Sequence, residues 1–440
     1  MNSALLLDDE TLARVRGSAG PMRVGRVNRL LGIHVDVVGL DVAIGDAVII
    51  DGPEGEVWCE VVAVHDSSAT CMPFGSLRGV RMGARAKAAG GAPTILTGQG
   101  LLGRVLDGLG RPLDGRPLPS GLQRVGVSGT APHPLRRRPV SEQLPLGVRV
   151  MDTLVPCGRG QRIGIFAGSG VGKSSLLSMM IRGTEADVSV LALVGERGRE
   201  VQEFIARDLG PEGLARSVVI VATSDEPPLV RLRAALTATR IAESFRDEGA
   251  DVLLLMDSLT RFAMAQREIG LSAGEPPATR GYPPSTFSLL AQLLERAGSG
   301  ERGSITGLYT VLVDGDDMNE PIADAARSIL DGHVVLSRKL ATAGQFPTVD
   351  ALESISRVAP AITSREQRAA ATELRRMMAA HREARDLIEI GAYVPGSNEL
   401  VDRAMALEPR IKAFLTQDLH ETVPAAQSWN QLGHLVGDLT

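Results

Sequence analysis

A glycine-rich segment between two apolar runs constrains the fold of this chain more than any other feature. The segment Ala167–Ser174 (AGSGVGKS) follows the apolar run Ile163–Phe166 and leads into the apolar run Leu176–Ile181. Three glycines within five residues allow consecutive backbone N–H groups to turn inward around a polyphosphate, at the positive end of the following helix. Lys173 supplies a mobile cation, and Ser174 supplies a hydroxyl for Mg²⁺. The order of strand, glycine loop and helix therefore predicts a site for a nucleoside triphosphate.

The usual form of this loop begins with glycine at the position that Ala167 occupies. Alanine fits there if the backbone needs no positive φ. A surface turn of glycine and serine ahead of an ordinary helix is the competing interpretation, and the remainder of the chain argues against it. The residues of this loop that are expected to contact the nucleotide are Gly168, Ser169, Gly170, Val171, Gly172, Lys173, Ser174 and Ser175.

Size and composition limit the class of protein. A chain of 440 residues is too long for one simple core and suits two or three domains. Aromatic residues make up only 3% of the chain and the net charge is −5, so neither stacking of nucleic-acid bases on aromatic platforms nor a general attraction to nucleic acid is expected. The cysteines Cys59, Cys71 and Cys157 have no paired spacing and are expected to be buried thiols in a reducing cytoplasm. We assign no metal site apart from nucleotide-bound Mg²⁺.

The N-terminal third of the chain has a β pattern. Residues 22–95 contain short alternating runs such as Ile33–Val37 between glycine-rich turns, which predicts a small β-barrel. Residues 96–144 contain two further turn clusters and end with a Pro/Arg stretch around Arg136–Pro139. We interpret this segment as a linker that joins two domains, because a solvated connector is more common than a nucleic-acid patch in a mildly acidic chain.

The pattern changes twice more along the chain. From residue 145 to 360, helical segments alternate with strands that are apolar on both faces, such as Val188–Val194, as expected of an α/β domain with a parallel sheet covered by helices. Residues 361–440 are rich in Ala, Arg and Glu, and Glu366–Ile390 is predicted to be a long amphipathic helix. The sequence therefore predicts a helical C-terminal domain.

Two strands of the predicted sheet end in carboxylates. Asp257 follows the strand Val252–Met256, and Glu196 follows the strand Val190–Val194. Ligands of parallel sheets sit at the carboxyl ends of strands, so Asp257 is placed to hold the Mg²⁺ that Ser174 also binds. Glu196 is a candidate to orient the water that attacks the γ-phosphate. The alternatives without a catalytic role are that Asp257 only caps the next helix and that Glu196 lies in a solvated charged loop.

Several segments together resemble the type III protein-export ATPases, which are relatives of the catalytic subunit of the rotary ATP synthase. The resemblance runs from about residue 22 to the C-terminus and is densest from 145 to 360. Residues 314–324 (DGDDMNEPIAD) resemble the flagellar branch of the family more than the virulence-injectisome branch. The other segments that carry the resemblance are the glycine loop, Gly195–Glu200 (GERGRE), Asp257–Glu268 (DSLTRFAMAQRE) and Gly274–Tyr282 (GEPPATRGY).

The resemblance implies a RecA-like P-loop core between a β-barrel and a helical domain, and it assigns residues to roles. Lys173 and Ser174 match the phosphate and Mg²⁺ ligands, and Asp257 matches the strand-end acid that reaches Mg²⁺ through a water. Glu196 matches the catalytic carboxylate, and Arg197 matches its neighbour in the site. ATP and Mg²⁺ are the implied substrate and cofactor.

Two further roles also come from the resemblance. Phe346 stands where the family usually has a tyrosine against the adenine ring, and a ring without the hydroxyl can still stack. Arg357 matches the arginine finger that reaches into the neighbouring subunit's site, although the pattern alone is equally that of an ordinary surface arginine. If identical chains each lend a finger, a closed ring completes every site, so a homohexamer is expected.

The implied activity is ATP hydrolysis that energises flagellar type III protein export, at an export gate in the membrane. The implied partners are a stator-like regulator, which residues 1–21 would dock, a central stalk protein, and chaperone–cargo complexes. No stretch of the sequence approaches the length of a membrane span and no secretion signal is evident, so we expect a cytoplasmic protein held at the inner face of the membrane by its partners.

Three alternatives remain open at the level of the sequence. A virulence-injectisome ATPase would share almost every motif. A ring RNA helicase would need stacking aromatics in the barrel, where only Trp58 and Phe74 occur. A nucleotide-holding subunit without activity would have no need for a carboxylate such as Glu196.

Overall fold

The computed structural model describes residues 23–313, 315 and 317–437. Two compact units are present, Met1–Pro93 and Thr94–Thr440. The predicted docking segment 1–21 lies outside the described residues, as do Asp314 and Asp316 of the segment that resembles the flagellar branch.

The first unit contains a closed six-stranded barrel, which confirms the predicted β-barrel. Its strands are β1 (Val24–Leu31), β2 (His34–Val38), β3 (Ala47–Gly52), β4 (Gly55–Val64), β5 (Ser68–Pro73) and β6 (Arg85–Ala88). The order around the barrel is β1-β2-β5-β4-β3-β6, and every pairing is antiparallel. Val35 and Val37 of β2 are buried between partly exposed neighbours and pack with Val48 and Ile50. The period-two alternation of the sequence therefore fills the barrel interior.

The second unit is built on a large, mostly parallel sheet. Its strands and those of a small ribbon are β7 (Thr94–Thr97), β8 (Arg104–Asp107), β9 (Gln123–Gly126), β10 (Arg162–Ala167), β11 (Val188–Glu196), β12 (Ser217–Thr223), β13 (Asp251–Asp257), β14 (Gly298–Ser299), β15 (Ser304–Leu312), β16 (Gly332–Val335) and β17 (Ile355–Ser356). The order across the sheet is β17-β16-β10-β15-β13-β11-β12-β8, with β14 pairing β15 from outside this path. All neighbours from β16 to β8 are parallel, whereas β14 and β17 are antiparallel.

Helices cover both faces of this sheet and continue into the C-terminal region. They are α1 (Arg149–Thr153), α2 (Lys173–Gly183), α3 (Gly198–Glu203), α4 (Gly210–Ala215), α5 (Pro228–Glu248), α6 (Leu259–Ser272), α7 (Pro284–Arg296), α8 (Pro321–Ile329), α9 (Arg338–Thr342), α10 (Ala359–Ile362), α11 (Arg365–Glu389), α12 (Glu399–Leu415) and α13 (Ala425–Gly437). A π-helical stretch, Phe204–Leu209, joins α3 to α4. The parallel-sheet core and the helical C-terminal region confirm the predicted α/β fold.

The bounds predicted from the sequence for two main elements are close to the bounds in the structure. The strand predicted at Val188–Val194 is β11, whose residues are buried up to its last position because helices pack on both sides. Helix α11 differs from the predicted Glu366–Ile390 by one residue at each end. It begins at a capping box in which Ser364 and Gln367 satisfy each other's backbone N–H groups.

The segment 96–144 is more than the linker that the sequence suggested. Strand β8 within it pairs with β12 and forms one edge of the large sheet, and β7 and β9 form a two-stranded ribbon. Arg104 in β8 is held by a bidentate ion pair with Asp114, at 2.7 and 2.8 Å. The short strand is difficult to detect from sequence because glycine turns lie on both sides of it.

The cysteine and histidine side chains of the described residues have structural surroundings. The three cysteines are free and buried, as predicted. Among the described residues, no group of His, Cys, Asp and Glu side chains has the arrangement of a metal site. Nε2 of His333 lies 3.1 Å from the carbonyl oxygen of Glu353. None of the described helices combines the length and the apolar character that crossing a bilayer requires.

Candidate nucleotide-binding and hydrolysis site

The glycine-rich segment forms the loop between β10 and α2, as the sequence predicted. Gly170 and Gly172 have φ values of 74° and 90°, which a residue with a side chain rarely adopts. Arg280 is the one non-glycine residue with positive φ in the described part of the chain, so Ala167 has the ordinary backbone that alanine requires. The 11-residue helix α2 starts at Lys173, and its first N–H groups are placed at the loop.

Two hydrogen bonds from the segment around Phe346 hold this loop. The hydroxyl of Thr348 donates to the carbonyl of Val171 at 2.6 Å, and Arg338 donates to the carbonyl of Ser169 at 3.1 Å. The ring of Phe346 lies beside Gly172, where a Cβ on the glycine would stand 3.4 Å from Cε1 of the ring. Because Phe346 is 43% exposed, its ring is accessible beside the loop, as a base-stacking residue must be.

Lys173 brings together the two carboxylates that the sequence singled out. Its Nζ lies 2.5 Å from Oδ1 of Asp257 and 3.5 Å from Oε1 of Glu196. Burial by itself would lower the pKa of Lys173, but the two facing carboxylates more than offset burial and the pKa is raised. The ammonium group therefore stays charged beside the glycine loop.

Glu196 is at the last position of β11, at the carboxyl edge of the sheet. Burial, and then repulsion from Asp257, raise the pKa of this carboxyl, while Lys173 acts in the opposite direction. Gly195 precedes it with φ of 71°, and a Cβ there would lie 2.9 Å from Cβ of Arg261 in α6. Only glycine thus lets α6 pack closely against the backbone that presents Glu196.

Ser174 and Asp257 suit the Mg²⁺ that accompanies a nucleotide. Ser174 is exposed, and its hydroxyl makes no hydrogen bond to another residue that the structure describes. Asp257 is 5% exposed and comes directly after the buried stretch of β13. A hydroxyl and a carboxylate are too few ligands for a site of their own, which fits a metal that also takes phosphate oxygens and water.

The structure separates two of the predicted residues from this cluster. Arg197 is exposed and pairs with Glu200 at 3.3 Å, so it is next to Glu196 in sequence but is not joined to Lys173 or Asp257. Arg357 is also exposed and follows β17. Its backbone N–H donates to the carbonyl of Asp331.

The position of Arg357 relative to the sheet can be followed through Asp331. The carboxylate of Asp331 accepts hydrogen bonds from the backbone and side chain of Arg162, the first residue of β10. The glycine loop follows the other end of the same strand. A strand rises about 3.3 Å per residue, so the two ends of β10 are about 16 Å apart. Arg357 therefore lies at the amino-terminal edge of the sheet, away from the glycine loop of its own chain.

Four residues at the site were not singled out from the sequence. Thr310 donates a hydrogen bond of 2.6 Å to Oδ1 of Asp257, and Arg261 has a buried Nε without a hydrogen-bond partner among the described residues. Thr348 and Arg338 support the glycine loop. Thr310 could have been found by the rule that active residues lie at carboxyl ends of strands, because it is near the end of β15. The supporting residues leave no local signal, since their contacts span more than 150 residues of sequence.

Family models agree with this fold and site. The model described as "ATP synthase alpha/beta family, nucleotide-binding domain" matches residues 147–356, which include the glycine loop, Glu196 and Asp257. The model described as "T3SS EscN ATPase C-terminal domain" matches residues 363–434. The chain is therefore a P-loop ATPase of the ATP synthase alpha/beta class.

Individual proteins define the family more narrowly. The "Flagellum-specific ATP synthase" of Bacillus subtilis (strain 168) is 50% identical over 419 residues, covering 94% of this chain and 96% of that protein. The "Type 3 secretion system ATPase" of Xanthomonas euvesicatoria is 48% identical, covering 90% of each. The structure of the assembled ATPase EscN from enteropathogenic E. coli matches with a TM-score of 0.90 and 42% identity, covering 94% of this chain and all of that one. This chain belongs to the family of flagellum-specific ATP synthases and type III secretion ATPases.

Proposed function

We propose that this ATPase energises flagellar type III protein export by hydrolysing ATP at the glycine loop. The observation that carries the proposal is the position of Lys173, which lies between the carboxylates of Glu196 and Asp257 beside a phosphate-binding loop. This arrangement provides a cation for the phosphates, a carboxylate for water and a carboxylate for the metal side of the site.

Nucleotide binding uses the loop and the ring next to it. The N–H groups of the glycine loop and the start of α2 receive the β- and γ-phosphates, and Lys173 turns from the two carboxylates to the phosphates. Phe346 stacks against the base. Ser174 and Asp257 would hold Mg²⁺, which withdraws charge from the phosphate oxygens when it is bound.

Hydrolysis needs a water in line with the γ-phosphate. Glu196 accepts a hydrogen bond from that water, whose oxygen forms a bond to phosphorus while the bond to the β-phosphate oxygen breaks, giving ADP and phosphate. The raised pKa of Glu196 makes it a better proton acceptor than an exposed carboxylate. Arg197 follows Glu196 directly, and we propose that it turns from Glu200 towards the phosphates when nucleotide binds.

The transition state also needs a cation, which we assign to Arg357 of a neighbouring chain. In support, this arginine is exposed at the opposite edge of the sheet from its own glycine loop. A head-to-tail contact that brings one chain's Arg357 to the next chain's loop closes into a ring, and a homohexamer completes every site in this way. The assembled state of EscN, a relative at 42% identity, agrees with such a ring.

The export role comes from the relatives. Several proteins at 46–50% identity are named flagellum-specific ATP synthases. A relative, EscN, has been solved in complex with its central stalk EscO, and we propose an equivalent stalk partner here. A stator-like regulator, the export gate and chaperone–cargo complexes complete the proposed set, with the protein in the cytoplasm and held at the inner membrane face through these partners.

A virulence-injectisome role is the second candidate. The type 3 secretion ATPase of Xanthomonas euvesicatoria is 48% identical, close to the value for the flagellar relatives. Deletion of the gene from its own cell separates the two roles. Loss of flagellar filaments with intact effector secretion supports the flagellar role, and the opposite result contradicts it.

The activity is tested by phosphate release from Mg²⁺-ATP by the purified full chain. We expect Glu196→Gln to bind ATP normally and lose turnover by about a thousandfold or more, because only the water-orienting group is removed. Lys173→Ala should lose nucleotide binding. Glu203→Gln is the matched control, since Glu203 is an exposed carboxylate seven residues away, at the end of α3. Equal rates for Glu196→Gln and the unchanged protein would remove Glu196 from the mechanism.

A further inference from the structure

A buried threonine contacts the carboxylate that we assign to the metal side of the site. Thr310 has no exposed surface, and its hydroxyl donates a hydrogen bond of 2.6 Å to Oδ1 of Asp257. The parallel register pairs Met256 of β13 with Tyr309 of β15, so the next residues along the two strands are Asp257 and Thr310. The contact is therefore fixed by the central strands of the sheet and not by a mobile loop.

The two oxygens of Asp257 differ in their surroundings. Oδ1 accepts from Thr310 and also lies 2.5 Å from Nζ of Lys173. Oδ2 accepts no hydrogen bond from any residue that the structure describes. When Lys173 turns to the phosphates, Thr310 is the side chain that still holds Oδ1. Torsion about the bond to a carboxylate is broad and has no strong intrinsic preference, so a fixed donor decides which way the group faces.

We propose that Thr310 is a positioning residue for the Mg²⁺ side of the site. Its hydroxyl holds Asp257 by Oδ1 and so keeps Oδ2 available to the metal or its water. The inference rests on the proposed function, in which Asp257 serves Mg²⁺. Thr310 itself contacts neither nucleotide nor metal and acts only through Asp257.

The variant that tests this role is Thr310→Val, which keeps the shape of the side chain and removes the hydroxyl. The measurement is binding of a fluorescent ATP analogue by the full chain, as Mg²⁺ is raised from a chelator-buffered zero. We expect the Mg²⁺ concentration for half-maximal tightening to rise about tenfold, while affinity in the chelator stays unchanged. Thr310→Ser keeps the hydroxyl, so its Mg²⁺ concentration for half-maximal tightening should equal that of the unchanged protein.

A purely structural role predicts a different pattern. Thr306→Val is the matched control, because Thr306 is a buried threonine of the same strand whose hydroxyl accepts from the backbone N–H of Gly160. Loss of the Thr306 hydroxyl can lower the melting temperature but should leave the Mg²⁺ requirement unchanged. An unchanged requirement in Thr310→Val, or an equal rise in Thr306→Val, overturns the proposal. If Thr310→Val does not fold, Thr310→Ala gives the same comparison.

Asp257→Asn separates failure of this inference from failure of the proposed function. If the unchanged protein binds the analogue without any effect of Mg²⁺, the assigned metal site itself is wrong, and both proposals fall. If Asp257→Asn raises the Mg²⁺ requirement and Thr310→Val does not, only the role of Thr310 is wrong. If Thr310 acts through Asp257, the double variant should resemble Asp257→Asn alone, because the two losses are not additive.

Discussion

The backbone N–H of Gln417 donates a hydrogen bond of 2.9 Å to the carbonyl oxygen of Phe346. This bond ties the segment after α12 to the residue that we expect to stack on adenine. The side chain of Gln417 is 3% exposed, accepts from the N–H of Arg149 and donates to the carbonyls of Gly147 and Glu421. Gln417 therefore joins the C-terminal helical region to Phe346 through its backbone N–H, and its buried side chain holds that backbone in place.

Replacing Gln417 should affect both stability and nucleotide affinity. In Gln417→Ala the buried N–H of Arg149 loses its acceptor, which costs about 1–3 kcal/mol, whereas the carbonyl of Gly147 keeps the hydrogen bond from the N–H of Val423. The N–H of residue 417 that donates to Phe346 remains but is no longer held in place by the side chain, so we expect a lower melting temperature and weaker ATP binding. Thermal unfolding and titration with a fluorescent analogue measure the two effects. Gln427→Ala, at an exposed position of α13, is the control and should change neither quantity. Normal ATP affinity in a destabilised Gln417→Ala would show that the link does not reach Phe346.

Phe346 should contribute to affinity for the base and not for the phosphates. Stacking on an aromatic ring is worth about 1–3 kcal/mol per base, so Phe346→Ala should weaken ATP binding by roughly 5- to 150-fold. Phe346→Tyr, which restores the residue usual in this family, should bind ATP within about threefold of the unchanged protein. Inorganic tripolyphosphate has no base, so its competition against the fluorescent analogue should be unaffected by Phe346→Ala. Equal losses for ATP and tripolyphosphate would show that the ring only supports the loop.

Arg357 should act between chains. Arg357→Ala alone is expected to lose about a thousandfold in turnover, as is typical when an arginine finger is removed. Mixed with Glu196→Gln chains, it should recover part of the activity, because some interfaces combine an intact glutamate with an intact arginine. Phosphate release from mixtures with verified subunit exchange measures this recovery, and Arg365→Ala serves as the control at another exposed arginine. Mixed rings without recovered activity would contradict a shared site.

Asp152 should make stability depend on pH. This carboxyl is fully buried and accepts hydrogen bonds from the N–H groups of Leu146 and Gly147, and burial raises its pKa to about 7. An unfolded aspartic acid titrates near pH 3.9, so between about pH 4 and 7 the folded state binds the extra proton. The contribution of Asp152 to the free energy of unfolding is therefore greatest at low pH and is lost as pH rises, by up to about 1.4 kcal/mol per pH unit.

The measurement is thermal unfolding of the unchanged protein and Asp152→Asn across this pH range. Asn does not titrate, so the difference in melting temperature between the two proteins should shrink or reverse as the pH rises from 4 to 7. A difference that is constant across the range would show that Asp152 is ionised at the lower pH.

The parts of the candidate site that could be predicted from the sequence are those whose residues are adjacent in the chain. The glycine loop, Lys173 and Ser174 lie on one stretch of chain, and Asp257 ends an apolar run, so their chemistry can be recognised without knowing what they face. The barrel and the parallel sheet were also predictable, because alternating and fully apolar strands differ in sequence. These features depend on local pattern.

Contacts between distant segments could not be predicted in the same way. Thr310 touches Asp257 because β15 and β13 are paired in one particular register, and nothing in either strand alone shows that register. Phe346 and Gln417 are 71 positions apart in the chain, and their hydrogen bond depends on how the C-terminal helices pack. The place of Arg357 at the far edge of the sheet likewise required the pairing of β17 with β16.

Strand β8 has a consequence for dividing this protein into fragments. A piece cut at residue 145, where the α/β pattern begins, would leave β12 without its outer neighbour and would present a row of unsatisfied N–H and C=O groups to other molecules. Such an edge invites self-association into extended sheets, irrespective of nucleotide. A piece that begins near Thr94, where the second compact unit starts, keeps β8 and so covers the edge of its own sheet.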